Sequence, residues 1–344
     1  MHVALLAHEK FPERAKTAVG ILRYSDYEVE AVLDRSKVGG SVSDFISDSD
    51  VQDAPMVESL EDVSGIDALI IGIAPIGGGF DESWRADVCE ALRRGRDVIS
   101  GLHYFLSDDG EFARLADEND ARIYDLRKPP DDLTVSDGIA DEMGTEVILT
   151  VGTDCSVGKM TTTLELVETL NEHAEVEFVP TGQTGVMVDG IERDDRRGIV
   201  VDAVTSDFVA GAVERMVLQR ADTDPDYIIV EGQGSIVHPA YSAVTCGILH
   251  GAMPDSLILC HEAGRETVHG YDRRLSDIEN YVELYERIAR PVHETQVVAG
   301  ALNTSSLDED EARDALDDFA AAVDAPATDP VRFGVEELVD AIQI

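Results

Sequence analysis

Lysine is scarce in this chain. Of its 344 residues only five are lysine, and its 27 basic residues face 70 acidic ones, for a formal net charge of -43. No stretch gathers enough positive charge to make the basic stripe that neutralises phosphate backbones, which excludes nucleic acid as a partner. No apolar run approaches the roughly 20 residues that cross a bilayer, so no membrane partner is expected. Met1 leads straight into a strand-like run without the pattern of a secretory leader, and the expected location is the cytoplasm. The four cysteines (Cys89, Cys155, Cys246, Cys260) are scattered without a C-x-x-C pair, so neither a disulfide framework nor a cysteine zinc site is suggested. The histidines at 238, 250, 261 and 269 likewise lack the H-x-x-x-H spacing of a helical zinc site.

What is abundant is acid, and it is spread along the whole chain. At low ionic strength such self-repulsion destabilises a compact state, whereas molar salt screens it over about 3 Å. The surface is that of a halophilic protein from a salt-rich cytoplasm. Its charge reports habitat and not substrate. With 44% hydrophobic residues over 344 positions, the chain can build two cores.

The strongest local signal is Glu146 to Thr163, an apolar run that breaks into a glycine-bounded loop and continues as a helical pattern. A buried strand from Val147 to Val151 should deliver the chain to Gly152, and the loop Thr153, Asp154, Cys155, Ser156, Val157 should turn through Gly158 to Lys159, Met160 and Thr161. Backbone N-H groups at the head of the next helix then face a concavity where the helix dipole also favours an anion. This is the pattern of a phosphate-binding loop, with Lys159 as its charge. Five residues separate Gly152 from Gly158, one more than usual, and Met160 stands where a magnesium-binding hydroxyl is expected. The longer Gly-Thr-Asp form resembles the loop of dethiobiotin synthetase and its relatives, which implies that Asp154 helps hold a metal. Thr161 is then the nearest substitute hydroxyl. Cys155 lies where the helix dipole could lower its pKa, although filling the loop is the simpler role for a small residue.

Ahead of this loop, strand-like runs at His2 to His8, Tyr27 to Leu33, Asp67 to Ala74 and Asp97 to Ser100 alternate with helical spacing at Arg14 to Tyr24 and Trp84 to Arg94. Strand, helix, strand in that rhythm means a parallel sheet. The fold class expected is α/β, with a Rossmann-like parallel-sheet domain over residues 1–130 and a P-loop NTPase-like parallel-sheet domain over 131–344. Lys128-Pro-Pro-Asp-Asp132 reads as the linker. Asp34 ends the second strand where a ribose-binding carboxylate would stand, and Pro75-Ile-Gly-Gly-Gly79 and Gly101-Leu-His-Tyr104 follow later strands. The first loop has no glycine, so the dinucleotide fingerprint is absent.

Beyond the phosphate loop, strands are expected at Val176 to Pro180, Gly198 to Asp202, Asp226 to Glu231, Ser256 to Cys260 and Gln296 to Ala301. Glu231 closes its strand where phosphate-loop proteins place a magnesium-holding carboxylate. Asp202 and Asp207 are softer candidates, and Asn303, after a late strand, is a nucleobase candidate. His238 reads as an acid-base group, and Arg265 as a planar clamp for a carboxylate.

Several pieces together resemble one family along essentially the whole chain: Lys16-Thr-Ala18, Ala74-Pro-Ile-Gly-Gly78, Gly101-Leu-His103, Gly152 to Thr162, Val230-Glu-Gly-Gln-Gly-Ser235, His238-Pro-Ala240 and Leu259 to Arg265. The chain is similar to the D-glutamate N-acetyltransferase family, whose members have a Rossmann-like N-domain and a phosphate-loop C-domain. That resemblance implies acetyl transfer from acetyl-CoA to the amine of D-glutamate or a similar acidic amino acid; the partners expected are a small-molecule substrate and, in a homo-oligomer, further copies of this chain. The residues accommodate this chemistry, with His238 or Glu231 as base, amides near Gly232 to Gly234 as oxyanion donors and Arg265 as clamp. They also accommodate activation of a carboxylate by ATP and Mg2+, with Lys159, Asp154, Thr161 and Glu231 around the phosphates. A third reading is a non-enzymatic, nucleotide-responsive switch.

Overall fold

A computed structural model describes residues 1–75, 77–191 and 198–342. The chain divides into two compact units: Met1–Pro129 with Gln183–Ala203, and Pro130–Gly182 with Val204–Ile344. Among the described residues no helix is long and apolar enough to cross a membrane.

The first unit is built on strands β1 (His2–Leu6), β2 (Glu28–Leu33), β3 (Met56–Val57), β4 (Ala68–Ile71), β5 (Asp97–Ser100) and β6 (Ile123–Asp125). Helices α1 (Lys16–Tyr24), α2 (Arg85–Arg93) and α3 (Gly110–Glu118) connect them. The sheet is parallel in the order β3-β2-β1-β4-β5-β6, the doubly wound Rossmann arrangement. Its central strand β4 is buried from end to end, as the apolar run Ala68-Leu-Ile-Ile71 requires.

The second unit begins with β7 (Glu146–Gly152), α4 (Lys159–Leu170) and β8 (Val176–Val179). The chain then contributes α5 (Gln183–Asp189) to the first unit before returning as α6 (Val209–Ala221), β9 (Tyr227–Val230), α7 (Ser242–Ala252) and β10 (Ser256–Glu262). It closes with α8 (Ile278–Ala289), β11 (Gln296–Asn303), α9 (Glu309–Val323), β12 (Ala327–Thr328) and α10 (Glu336–Ile342). This sheet is also parallel, in the order β12-β11-β10-β7-β9-β8. β7 is flanked by β10 on one side and β9 on the other, so the connections diverge from its carboxyl end. In open α/β sheets that divergence is where ligands bind.

One expected strand is absent. Residues 198–200 carry no regular structure and Val201–Ala203 is a 3-10 turn. The apolar stretch Ile199 to Val201 is buried all the same, and Val200 belongs to the core of the first unit. Burial without strand pairing satisfied the same hydrophobic signal. Asp202, expected beyond that strand end, pairs instead with Arg127 at 3.1 Å. Asp207 is exposed.

In the first unit Asp34 is fully buried, and its carboxylate accepts the amides of Glu9 (3.0 Å), Phe11 (3.2 Å) and Ser36 (2.9 Å). The loop after β1 therefore uses this carboxylate as its own anchor, and the Ser36 hydroxyl, with these amides, holds its pKa down against burial. Gly101 packs against the Gln183 side chain, where an added Cβ would stand 2.3 Å from Oε1. Ile76, within the Ala74 to Gly78 stretch, lies outside the described residues.

Candidate functional site

The last residue of β7, Gly152, pairs with Cys260 of β10, and the amide of Thr153 donates to the Cys260 carbonyl oxygen at 3.0 Å. This fixes the mouth of the loop between two central strands. The chain then turns through Ser156 and Gly158, at φ of 56° and 105°, and α4 starts at Lys159. Gly158 takes a backbone conformation that side chains disfavour, and it precedes the free amides of the helix head.

Lys159 is only 7% exposed, and its Nζ donates to the Asp154 carbonyl oxygen at 2.8 Å. Among the described residues no carboxylate stands within 4.0 Å of that ammonium. Burial accordingly pulls its pKa down. A buried ammonium whose partner is a neutral carbonyl needs an anion to balance it. Below it, Thr163 returns its hydroxyl to the Lys159 carbonyl at 2.9 Å and lies 2.9 Å from the Thr150 hydroxyl, which binds α4 to β7. Met160 and Thr161, on the first turn of α4, are partly buried, and Val157 is fully packed beneath the loop.

Asp154 is buried and fully engaged. One carboxylate oxygen accepts the Cys155 amide at 2.8 Å, and the other accepts the His269 amide at 2.6 Å and Arg265 Nη1 at 3.2 Å. Arg265 in turn donates Nε to Glu262 at 2.6 Å and a second nitrogen to the same carboxylate. Its fork is thus spent on two acids that tie the β10 end to the phosphate loop. Burial raises the Cys155 thiol, outweighing Lys159 and Arg265, so a filling role suits it. Asp154, Cys155 and His238 bring a carboxylate oxygen, a sulfur and a ring nitrogen within 4.8 Å of one another.

Glu231 follows β9 directly. It is 3% exposed, and its carboxylate accepts the amides of Thr181 and Gly182 at 3.0 Å each. Burial pushes its pKa up, while the two amides and the charge of Lys159 pull it back. The next residue runs hard against β7: a Cβ on Gly232 would lie 1.7 Å from the Thr150 carbonyl oxygen, so only glycine fits. His238 is buried with a backbone partner at each ring nitrogen, taking the Ala240 amide at Nδ1 and facing the His269 carbonyl oxygen from Nε2, both at 3.2 Å. Asn303 closes β11, and its side-chain oxygen accepts the Ser305 amide at 3.0 Å within its own turn.

Two residues enter the site in roles the sequence did not assign. Tyr285 of α8 donates its buried hydroxyl to the Gly152 carbonyl oxygen at 2.7 Å and accepts the Ile236 amide at 3.1 Å. It thereby joins the phosphate loop to the chain beyond Glu231. His261 shares a 2.7 Å hydrogen bond with the Thr153 hydroxyl, and burial, with Arg265 adding to it, lowers its pKa to about 4. Beside His261 and Arg265 opens a cavity of about 680 Å³, also lined by Glu266, Arg274, Asp277 and Glu279.

A doubly wound Rossmann-like unit followed by a parallel-sheet unit with a phosphate loop at its divergence point defines an α/β protein of the P-loop class. Residues 35–129 match the Rossmann-like domain of unknown function DUF1611_N, and residues 134–339 match the DUF1611_C P-loop domain. The chain belongs to the DUF1611 family. It is similar to a D-glutamate N-acetyltransferase of Pseudoalteromonas sp (34% identity, 80% of this chain, 81% of the relative). It is also similar to a D-glutamate N-acetyltransferase of Tritonibacter scottomollicae (36% identity, 81% of this chain, 82% of the relative). The crystal structure of a DUF1611 family protein from Anabaena variabilis superposes with a TM-score of 0.91 at 36% identity over 99% of both chains.

Proposed function

We propose that this chain transfers acetyl from acetyl-CoA to the amine of D-glutamate or a similar acidic amino acid, with the phosphate loop gripping the pyrophosphate of coenzyme A. The observation that carries the reading is the buried Lys159 ammonium at the head of α4, with no carboxylate of the described residues within 4.0 Å, in a chain whose relatives bear the acetyltransferase name. A phosphate loop holds such a donor by charge and backbone amides without cleaving it. In the transfer, the amine nitrogen bonds to the thioester carbon and the carbon-sulfur bond breaks. The proton lost by nitrogen passes through a side-chain base, Glu231 or His238, to the departing thiolate. Amides of the turn beyond Glu231 supply the dipoles for the thioester oxyanion.

A second reading rests on Glu231, a buried carboxylate one residue past β9 that feels the charge of Lys159. Asp154, Thr161 and Glu231 each offer a hard oxygen of the type Mg2+ takes, and these are the residues that would hold it. Bound there, the ion would supply charge neutralisation at nucleotide phosphates, as in activation of a carboxylate by ATP.

One assay separates the two. In molar KCl, acetyl-CoA plus D-glutamate should release free thiol without a nucleoside triphosphate, and ATP should inhibit by competing for the loop. Thiol release that stays silent with every acidic amino acid, while ADP forms from ATP, Mg2+ and an acid, would replace the first reading with the second. Glu231→Gln should abolish ATP-dependent chemistry outright, and should slow acetyl transfer only if Glu231 is the base.

A further inference from the structure

Most arginines among the described residues meet a carboxylate. Arg85, Arg94, Arg127, Arg215, Arg220 and Arg265 each meet a carboxylate within 3.2 Å, as expected where acids outnumber bases 70 to 27. Arg274 does not. It lines the cavity beside the phosphate loop, and among the described residues no carboxylate lies within 4.0 Å of its guanidinium. The segment that carries it is no loose appendage. Thr267 and Arg274 bridge as antiparallel neighbours, the Val268 amide donates to the Arg273 carbonyl oxygen at 2.8 Å, and the His269 amide is held by Asp154 of the phosphate loop at 2.6 Å.

The lining of that cavity carries both signs. Glu266, Asp277 and Glu279 supply negative charge, and Arg274 supplies the positive charge left over once Arg265 is committed to Asp154 and Glu262. Three carboxylates repel a polyphosphate. A zwitterion suits such a wall, because its ammonium can meet an acid while its carboxylate meets a planar guanidinium fork. The cavity volume, about 680 Å³, lies within the range of small-ligand sites.

We infer that this cavity is the acceptor subsite, binding an α-amino acid through its carboxylate on Arg274 and its ammonium on the acidic wall formed by Glu266, Asp277 and Glu279. The inference rests on the acetyl-transfer reading and gives it a specificity residue. Arg265, from the same lining, then acts on the substrate only through the phosphate loop that it holds in place.

The test is Arg274→Gln in the full chain, with Arg274→Lys beside it, assayed in molar KCl. Arg274→Gln should raise KM for D-glutamate at least tenfold while KM for acetyl-CoA changes less than threefold, and Arg274→Lys should recover part of the loss. A rise in KM for acetyl-CoA with KM for D-glutamate unchanged, or no change in either, would overturn the assignment. Direct calorimetric titration with D-glutamate keeps the question open to decision if no acetyl transfer is seen at all. Binding to the wild-type chain that weakens tenfold in a normally melting Arg274→Gln variant supports the subsite even though the transfer reading has failed. Equal binding to both chains, or none to the wild type, removes it.

Discussion

The hydroxyl of Tyr285 donates to the carbonyl oxygen of Gly152 at 2.7 Å, and a residue of α8 thereby holds the mouth of a loop 133 positions earlier in the chain. The same hydroxyl accepts the Ile236 amide at 3.1 Å, so one phenol positions both the phosphate loop and the chain beyond Glu231. Burial holds the phenol well above its usual pKa, and it stays protonated throughout the working range.

Tyr285→Phe should leave two buried polar groups unsatisfied while conserving the ring. The expected cost is about 1–3 kcal/mol of stability. A melting curve in high KCl measures it, and phosphate-ligand affinity should fall in parallel because the loop loses its tether. An unchanged melting temperature would remove Tyr285 from this role.

Lys159→Ala should behave in the opposite way. Without ligand the ammonium sits buried beside a neutral carbonyl, so its loss should cost the unliganded fold little. Binding of a phosphate ligand should nonetheless weaken by roughly 2 kcal/mol or more, the scale of a lost charge-assisted partner. Calorimetric titration of acetyl-CoA and ATP reads the effect. Undiminished affinity for both would rule out the phosphate-loop reading.

The lowered pKa of His261 gives a pH dependence with a definite sign. Its ordinary value is 6.5 and its folded value about 4. Above pH 6.5 neither folded nor unfolded chain binds the proton, and the full stability is present. As pH falls from 6.5 toward 4 the unfolded chain takes a proton that the folded chain refuses, and stability drops, by roughly 3 kcal/mol at most from this group. His261→Asn keeps a polar partner for Thr153 without titrating. The difference in melting temperature between wild type and variant should therefore move in favour of the variant over that interval, and curves that stay parallel would contradict the buried, neutral imidazole.

The formal charge of -43 predicts a steep salt dependence. Lowering KCl from molar to tens of millimolar lengthens the screening distance from about 3 Å toward 30 Å and exposes the surface acids to one another. The melting temperature should fall continuously along that series. A flat profile would separate the acidic composition from any adaptation to salt.

Much of this organisation is written in local sequence. The run from Val147 to Thr163 determines a strand, a loop and a helix head because covalent spacing alone sets Gly152, Gly158 and Lys159 in order. Glu231 follows from the same logic, since a carboxylate one step beyond a buried strand must emerge at the carboxyl edge of the sheet. The alternation of apolar strands with helical spacing likewise determines two parallel sheets. What the sequence by itself left undecided is which distant groups meet. Hydrophobic periodicity reports burial, and Ile199 to Val201 is buried, but only packing decided that Val200 joins the core of the first unit and that the stretch forms no strand. Arg265 carries the fork of a substrate clamp, yet the fold closes that fork on Asp154 and Glu262 and leaves Arg274, with no carboxylate of the described residues within 4.0 Å, to face the same cavity. Tyr285 looks like an ordinary core residue in the linear chain, and His261 stands there only as one of several scattered histidines without a metal-site spacing. They reach the phosphate loop because β10 lies beside β7 and α8 brings Tyr285 to Gly152, a pairing fixed by long-range strand order and side-chain fit that no local window contains.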